Sequence, residues 1–478
     1  MTAVAPEAPA AAMATMAGMR LTPADLARLF DGRLEGSGDA LAMLSGIETD
    51  SRQISRGRGF IALRGERDDG HRHVPDAAQR ECSVAVVDAT WQPAAGTAVP
   101  PLILRVDDTG AGLRRACRAR LAELGCEVVG ITGSVGKTTA KEMCATALGR
   151  LAVARTPGNL NTWTGVPQTV LSIDPPVDVF VAEVAMSAPG EIRDLARMLR
   201  PRVGVLLNIG YAHIGLLGSL VAISDAKAEL LEELPEDGIA VCNADDERVR
   251  AVAGRSPAPP VWFGLRSSEA TYTARDISSD GVEGTRCVLH GPGGTAITRL
   301  PLRGEHAVLD ACAAAAVAAQ HGVAIAEVAR RLAGLTPPEH RGAVLVGARG
   351  ALVYDDCYNS SPTSLHAALE VLAGCPRSRR VAVLGDMLEL GDHAAAAHRE
   401  AGRHAASVAT GLIAVGEHAE TMVTAAVAAG MPASEARVAA DVDEAARLTL
   451  TQCDGDTAIL VKASHSLAFE RIVEQLIP

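Results

Sequence analysis

The stretch "GITGSVGKTTAKEM", residues 130–143, decides the fold. It follows the apolar run "EVV" and opens a segment of helical periodicity. Gly130, Gly133 and Gly136 allow a tight turn whose backbone N–H groups face inward, and the start of a helix adds partial positive charge. From such a turn Lys137 reaches the β- and γ-phosphates of a nucleotide, and Thr138 offers a hydroxyl to Mg²⁺. Gly133, Ser134, Gly136, Lys137, Thr138 and Thr139 are therefore read as an ATP or GTP site. The spacing is G-x-x-G-x-x-G-K-T, so the first glycine departs from the strict G-x-x-x-x-G-K-T form.

Outward from this turn, short apolar runs alternate with helical periodicity: "VDVFVAEVA" (177–185), "RVGVLLNIG" (202–210) and "GIAVCNADD" (238–246). That alternation predicts a mainly parallel α/β sheet. Residues 270–300 read as short antiparallel strands, and "HAVLDACAAAAVAAQHG" (306–322) as a buried, Ala-rich helix. "LTPPEHRG" (335–342) reads as a hinge, beyond which "RRVAVLGDM", "TGLIAVGEH" and "DTAILVKAS" alternate with helices in a second, Rossmann-like unit. Before the turn, "LTPADLARLF" (21–30) reads as a short capped helix, followed by mixed strands to "LILRV" near residue 106. The fold class is thus α/β in three domains: a small N-terminal unit over 21–112, a central phosphate-loop unit over 113–335 and a C-terminal unit over 336–478. Residues 1–20 read as a disordered tail broken by Pro6 and Pro9, with no basic segment of a signal peptide.

Composition narrows the partners. A net charge of −12 and 3% aromatic residues argue against a nucleic-acid surface, which needs clustered cations and stacking rings. No apolar run is long enough to span a membrane. The ten cysteines are scattered with no C-x-x-C pair, as in reduced core thiols of a cytoplasmic protein. Lysine stands at only four positions, 137, 141, 227 and 462, among 45 Lys+Arg. An Arg guanidinium stays charged, whereas a Lys amine shifts its pKa and can be modified. Lys227, in "SDAKAEL", therefore reads either as a solvated helix residue or as a site that needs a primary amine.

Further stretches stand after predicted strands, at the carboxyl edge of the sheet where ligands bind: "TPGNLNTWTGVPQTVL" (156–171), "AEVAMSAPGEI" (182–192) and "LLNIGYAHIGLLGS" (206–219). With "TDSR" (49–52), "FIALRGERDDGH" (60–71), "DDCYNSSPTS" (355–364), "LGDMLELGDHAAAAH" (384–398) and "LVKASHS" (460–466), they make the chain resemble the Mur ligase family, closest to its MurF type. The resemblance runs over nearly the whole chain from about residue 21. It implies ATP-dependent amide formation, with D-alanyl-D-alanine added to a UDP-N-acetylmuramoyl-tripeptide through an acyl phosphate. It also implies two Mg²⁺ ions, one on Thr138 and Glu183, the other on His213 and Lys227. In the family the matching lysine carries CO₂ as a carbamate, which answers what Lys227 does that arginine could not. Lys137, Lys227, His213 and Glu183 become the catalytic set. Arg341 and Asp356 resemble contacts to ATP phosphate and ribose, and Asp50, Ser51, Arg52 and Gly65 resemble a uridine-diphosphate region. Asn159, Asn161, Asn359, Lys462 and His465 complete the expected substrate contacts. The resemblance further implies a monomer with small-molecule substrates.

Departures from the family pattern are concentrated at adenine and acceptor contacts. Ala307 and Asp310 stand where amides are usual, Ala185 where Gly is, Gly215 where an acid is common, Ser361 where Asn is, and Ala463 and His465 where Gly and Arg are. An imidazole cannot bind a carboxylate bidentately as a guanidinium does. Two other readings follow: a related ligase coupling a different amine and carboxylate, and a nucleotide-binding relative without catalysis.

Overall fold

The computed structural model describes residues 20–65, 68–279 and 284–478. The expected tail lies outside the described residues, apart from Arg20. Three sheets organise the chain in sequence order, with a small antiparallel sheet beside the second. The N-terminal sheet has five strands, in the order Arg33–Gly36, Leu102–Val106, Val84–Asp88, Arg58–Ile61 and Gly46–Glu48, with only the first pair antiparallel. The expected helix spans Pro23–Phe30, and its start follows from local chemistry. Thr22 and Asp25 form a reciprocal capping box and Pro23 occupies the first turn.

The central sheet has six parallel strands in the order Pro260–Phe263, Ile239–Asn243, Val203–Leu206, Glu127–Thr132, Val179–Glu183 and Val153–Arg155. The strand leading into the phosphate loop lies in the middle, where the chain direction of strand addition reverses. An open α/β sheet forms its ligand crevice at that point. The antiparallel reading of 270–300 appears as three strands, Thr273–Ser279, Thr285–Gly291 and Gly294–Leu300. The Ala-rich segment is the helix Glu305–Gln320, buried through its middle from Ala307 to Ala318 except at Leu309, and packed on the phosphate-loop helix Lys137–Ala147. Alanine suits both roles, because it has high helix propensity and lets two helix backbones approach closely.

The C-terminal sheet also has six strands, Ala343–Val346, Leu352–Asp355, Thr457–Lys462, Arg379–Gly385, Gly411–Val415 and Ala436–Ala439, parallel after the first pair. The helix Thr109–Leu124 runs through residue 112 and packs both on the Pro23–Phe30 helix and on central-unit helices. It therefore joins the first two units through packing as well as through the chain. All ten cysteines are free and nine are buried. Burial pushes the Cys82 and Cys242 thiols up to about 12, so these are inert core groups.

Candidate active site

The central and C-terminal units enclose a cavity of about 760 Å³ at the carboxyl edge of the central sheet. The phosphate loop forms its floor. Gly136 turns through φ +86°, a conformation that glycine adopts without strain, and the helix Lys137–Ala147 begins immediately after it. Asn208, from the next strand end, braces the loop. Its side-chain oxygen accepts from Val135 N at 2.9 Å, its amide donates to Val135 O at 3.0 Å, and its carbonyl accepts from Ser134 N at 3.0 Å. Ser134 Oγ is held by Gly210 N and O. The polar groups of Ser134 thus brace the loop, while Gly136, Lys137, Thr138 and Thr139 line the cavity beside the unpaired first-turn N–H groups of the helix.

Glu183 stands at the end of its strand, 2% exposed, and gathers the neighbouring polar groups. Thr138 Oγ1 donates to its Oε2 at 2.7 Å, and Asn161 Nδ2 donates to its Oε1 at 2.8 Å. The backbone N–H of Glu183 donates to Thr156 Oγ1 at 3.0 Å. Asn159 lines the same wall. A hydroxyl and a carboxylate brought together in this way are hard oxygen donors of the kind Mg²⁺ selects.

The four lysines share a pattern: three are essentially buried, and Lys137 is half-buried in the cavity wall. Lys137 Nζ and Lys227 Nζ both donate to Gly133 O, at 2.9 and 3.0 Å. Lys227 is 2% exposed, beneath the loop rather than on a solvated helix face. Burial, reinforced by the charge of Lys137, pushes its amine far below the usual lysine range. Lys141, one turn after Lys137, is fully buried. Its Nζ donates to Thr156 O at 2.6 Å and Gly158 O at 3.2 Å and lies 3.8 Å from Glu183 Oε2. It clamps the "GNLN" loop and the Glu183 carboxylate to the phosphate-loop helix. The expected site omitted Lys141, although lysine scarcity alone pointed to it.

His213, in a left-handed conformation at φ 64°, lines the cavity and reaches across to the C-terminal unit. Its Nδ1 lies 2.5 Å from Glu389 Oε2, and Gly215 N donates to Glu389 O at 2.8 Å. A Cβ at Gly215 would meet Gly391 N at 2.7 Å and Glu389 O at 2.8 Å. An acidic residue at 215 therefore has no room while the units are docked this way.

The C-terminal wall is built by stacking. The Arg341 guanidinium lies 3.8 Å above the Tyr358 ring, and Tyr358 stacks on His465 with centroids 5.0 Å apart. His465 replaces a planar cation with another flat ring. Lys462 pairs with the Asp356 carboxylate and donates to Asn359 O at 2.9 Å. It holds the Asp356 loop in place instead of presenting a free cation. Ser361 caps the helix Pro362–Ala373 through a reciprocal bond with Ser364, so its replacement of an amide has a structural use. Asp50, Ser51, Arg52 and Gly65 lie in the N-terminal unit, outside this cavity. Arg52 folds back onto Asp50, with Nη2 2.8 Å from Oδ2. Tyr358 and Asn208 were within the stretches singled out in sequence, but nothing in the chain marked their contacts; Glu389 likewise becomes visible only when the units dock.

Phosphate loop, buried oxygen donors and a second α/β unit closing over them define an ATP-dependent enzyme that activates a substrate between domains. Comparison with known proteins identifies the class: the Mur ligase middle domain matches residues 131–318 and the Mur ligase glutamate ligase domain residues 340–465. The chain belongs to the Mur ligase family. It is 35% identical over 389 residues to the Bacillus subtilis UDP-N-acetylmuramoyl-tripeptide–D-alanyl-D-alanine ligase, covering 80% of this chain and 82% of that one. It is 32% identical to the Escherichia coli ligase of the same name, with 95% and 98% covered. Among solved structures, MurF from Acinetobacter baumannii superposes with a TM-score of 0.84 at 28% identity, covering 96% of this chain and 99% of that one. MurF ligase from Thermotoga maritima in complex with ADP gives 0.77 at 27% identity, covering 90% and 96%.

Proposed function

We propose that this chain is an ATP-dependent peptide ligase that adds D-alanyl-D-alanine to UDP-N-acetylmuramoyl-tripeptide, a step of peptidoglycan precursor synthesis. The observation that carries the reading is one cavity holding the phosphate loop, the Thr138–Glu183–Asn161 cluster and the Arg341–Tyr358–His465 stack. The name and coverage of the relatives support it.

In the proposed mechanism the tripeptide's free carboxylate attacks the γ-phosphorus of ATP. The bond to the β-phosphate oxygen breaks, giving an acyl phosphate and ADP. The neutral amine of the dipeptide then attacks the acyl carbon, phosphate leaves, and the nitrogen gives up a proton to form the amide. Two anions must meet in the first step, so the work of the site is positioning and charge neutralisation. Lys137 and the helix N-terminus meet the phosphates, and the docked C-terminal unit excludes water that would hydrolyse the acyl phosphate. Mg²⁺ fits the Thr138–Glu183 oxygens, where it would neutralise phosphate charge. A second ion would draw on His213 and on Lys227 as its carbamate. The depressed amine of Lys227 supports that modification, because only a neutral amine adds CO₂. Asp50, Ser51, Arg52 and Gly65 would take the uridine diphosphate. We further propose a cytoplasmic monomer. The free cysteines support a reducing compartment, and no helix among the described residues is long and apolar enough to cross a membrane.

The test is phosphate release from ATP and Mg²⁺ with UDP-N-acetylmuramoyl-tripeptide, with and without D-alanyl-D-alanine, and product mass read in the same tubes. Release that needs both substrates and yields the pentapeptide is expected. Nucleotide binding with no release would overturn the acceptor assignment and turn the departures at Ala463 and His465 into evidence for another substrate pair. For the carbamate, Lys227→Ala should lose activity and regain part of it with added formate or acetate. An unimpaired mutant would remove Lys227 from the catalytic set.

A further inference from the structure

Away from the nucleotide cavity, the helix Pro362–Ala373 carries His366 and Glu370, four residues apart and therefore on one face. His404, from the helix Ala394–Val408, reaches both. Its Nε2 lies 2.7 Å from Glu370 Oε1, and its ring centroid is 4.4 Å from that of His366, with the planes tilted by 33°. One nitrogen of each imidazole and one carboxylate oxygen lie within 4.8 Å of one another. The hydrogen bond between His404 and Glu370 accounts for two members of the group. It does not account for His366, whose only partner contact among the described residues is the His404 ring.

We propose that His366, Glu370 and His404 form a binding site for a divalent first-row transition-metal ion, with Zn²⁺ as the reference ion. Two imidazole nitrogens and one carboxylate oxygen make a borderline donor set that suits Zn²⁺, Co²⁺ or Ni²⁺, whereas Mg²⁺ and Ca²⁺ favour all-oxygen surroundings. Three protein ligands on tetrahedral zinc leave one position open. His366 and Glu370 also line a second cavity between the central and C-terminal units, of about 1040 Å³, so the open position borders a space that can hold water or a small ligand. The same helix lines the nucleotide cavity with Ser361, Thr363 and Ser364. A metal ion here would tie that helix to its neighbour, one or two turns from residues that face the nucleotide. This site is separate in residues and in donor chemistry from the Thr138–Glu183 oxygens.

The test uses the full chain stripped with EDTA and titrated calorimetrically with Zn²⁺ in excess Mg²⁺, so that the oxygen site is already supplied with its own ion. A parallel Co²⁺ titration reads the visible d–d bands of a site of low coordination. One saturable equivalent is expected for the wild type. His366→Gln and His404→Gln should each weaken binding by at least the roughly 10- to 100-fold that loss of a merely supporting partner costs a metal site. Thermal melts of metal-free His366→Gln should match wild type, since His366 lies at the surface. At His404, whose side chain is only 14% exposed, glutamine is chosen because its amide can still donate to Glu370. Absence of saturable Zn²⁺ binding in the wild type, or unchanged binding in the His366→Gln/His404→Gln double variant, overturns the proposal and leaves an ordinary His404–Glu370 hydrogen bond.

Discussion

The two walls of the nucleotide cavity are built on opposite principles. On the central wall, polar groups gathered around the strand end at Glu183 hold one another before any ligand arrives: Lys141, Glu183 and Thr138 have almost no solvent exposure, and the partly buried Asn161 joins them. On the C-terminal wall, apart from the buried Lys462 and its partner Asp356, exposed or half-buried groups meet by stacking, Arg341 on Tyr358 on His465, and by cross-unit contacts at Glu389, from His213 and the Gly215 backbone. The first arrangement places charge accurately and is costly to disturb, because an unpaired buried charge is strongly unfavourable. The second is adaptable and inexpensive to alter.

The comparison is attacked most directly at Lys141. Lys141→Met would leave Glu183 without its nearby buried cation and free the "GNLN" loop from the helix. Stability should fall by about 3 kcal/mol, and kcat should fall by roughly 100- to 1000-fold with weakened dependence on Mg²⁺. Lys141→Arg should remain impaired, since the site is fully enclosed and a guanidinium cannot reproduce a single amine between two carbonyls. Steady-state kinetics across a Mg²⁺ series checks both. Wild-type turnover in Lys141→Met would show that the central wall is not preorganised by this residue.

A smaller effect is expected from the docking pair. The hydrogen bond from His213 holds the Glu389 carboxyl below its usual range, against the opposing effect of burial. A carboxylate with a depressed pKa stabilises the state that depresses it above its ordinary pKa, and the contribution is lost as pH falls through the depressed value. The docked form should therefore be insensitive to Glu389 titration at neutral pH and loosen only on acidification. Half of the Glu389 side chain is exposed, so the pair contributes about 1 kcal/mol at most. Glu389→Gln should raise the KM for ATP roughly fivefold at neutral pH and flatten the acid limb of that profile. Equal profiles for the two proteins would mean that docking does not depend on the pair.

What could be read from the chain follows the same division. Glycine spacing and periodicity located the phosphate loop and the parallel sheet together and put the stretches around Glu183 and the "GNLN" asparagines at its carboxyl edge; the family resemblance then singled out those residues. The short cap at Thr22 was equally legible, because its partner Asp25 is three residues away. Contacts made between units left no local trace. Glu389 sits in a left-handed turn with nothing in its neighbours to announce His213, 176 residues earlier. The stack on Tyr358 joins Arg341 and His465 from far apart in the chain. Lysine scarcity was a usable signal that pattern reading under-used: it led to Lys227, and the same reasoning applied to Lys141. Gly215 and Ser361, read as departures, turn out to serve close approach and helix capping.

Asp310 belongs to the central wall yet breaks its rule, which makes it the finest test of the comparison. It is 5% exposed on the Ala-rich helix, and a Cβ built on Gly136 would lie only 3.0 Å from its Oδ1, so its carboxyl borders the phosphate loop. Burial pushes that carboxyl well above the usual carboxylate range. A neutral acid has nearly the shape and hydrogen-bonding capacity of the amide that the family pattern carries there, and it does not repel phosphate. The folded state then holds this proton more tightly than the unfolded chain, so stability declines as pH rises from the ordinary carboxylate range towards the raised value. Asp310→Asn removes that slope. The variant should keep its neutral-pH kcat and melt about 2–4 °C higher, the shift that a gain of about 1 kcal/mol gives a domain of 150–250 residues. It should also lose any alkaline rise in the KM for ATP caused by ionisation beside the phosphates. Superimposable pH profiles for wild type and Asp310→Asn would show instead that the carboxyl is already charged and tolerated, and that this wall is less dry than its burial implies.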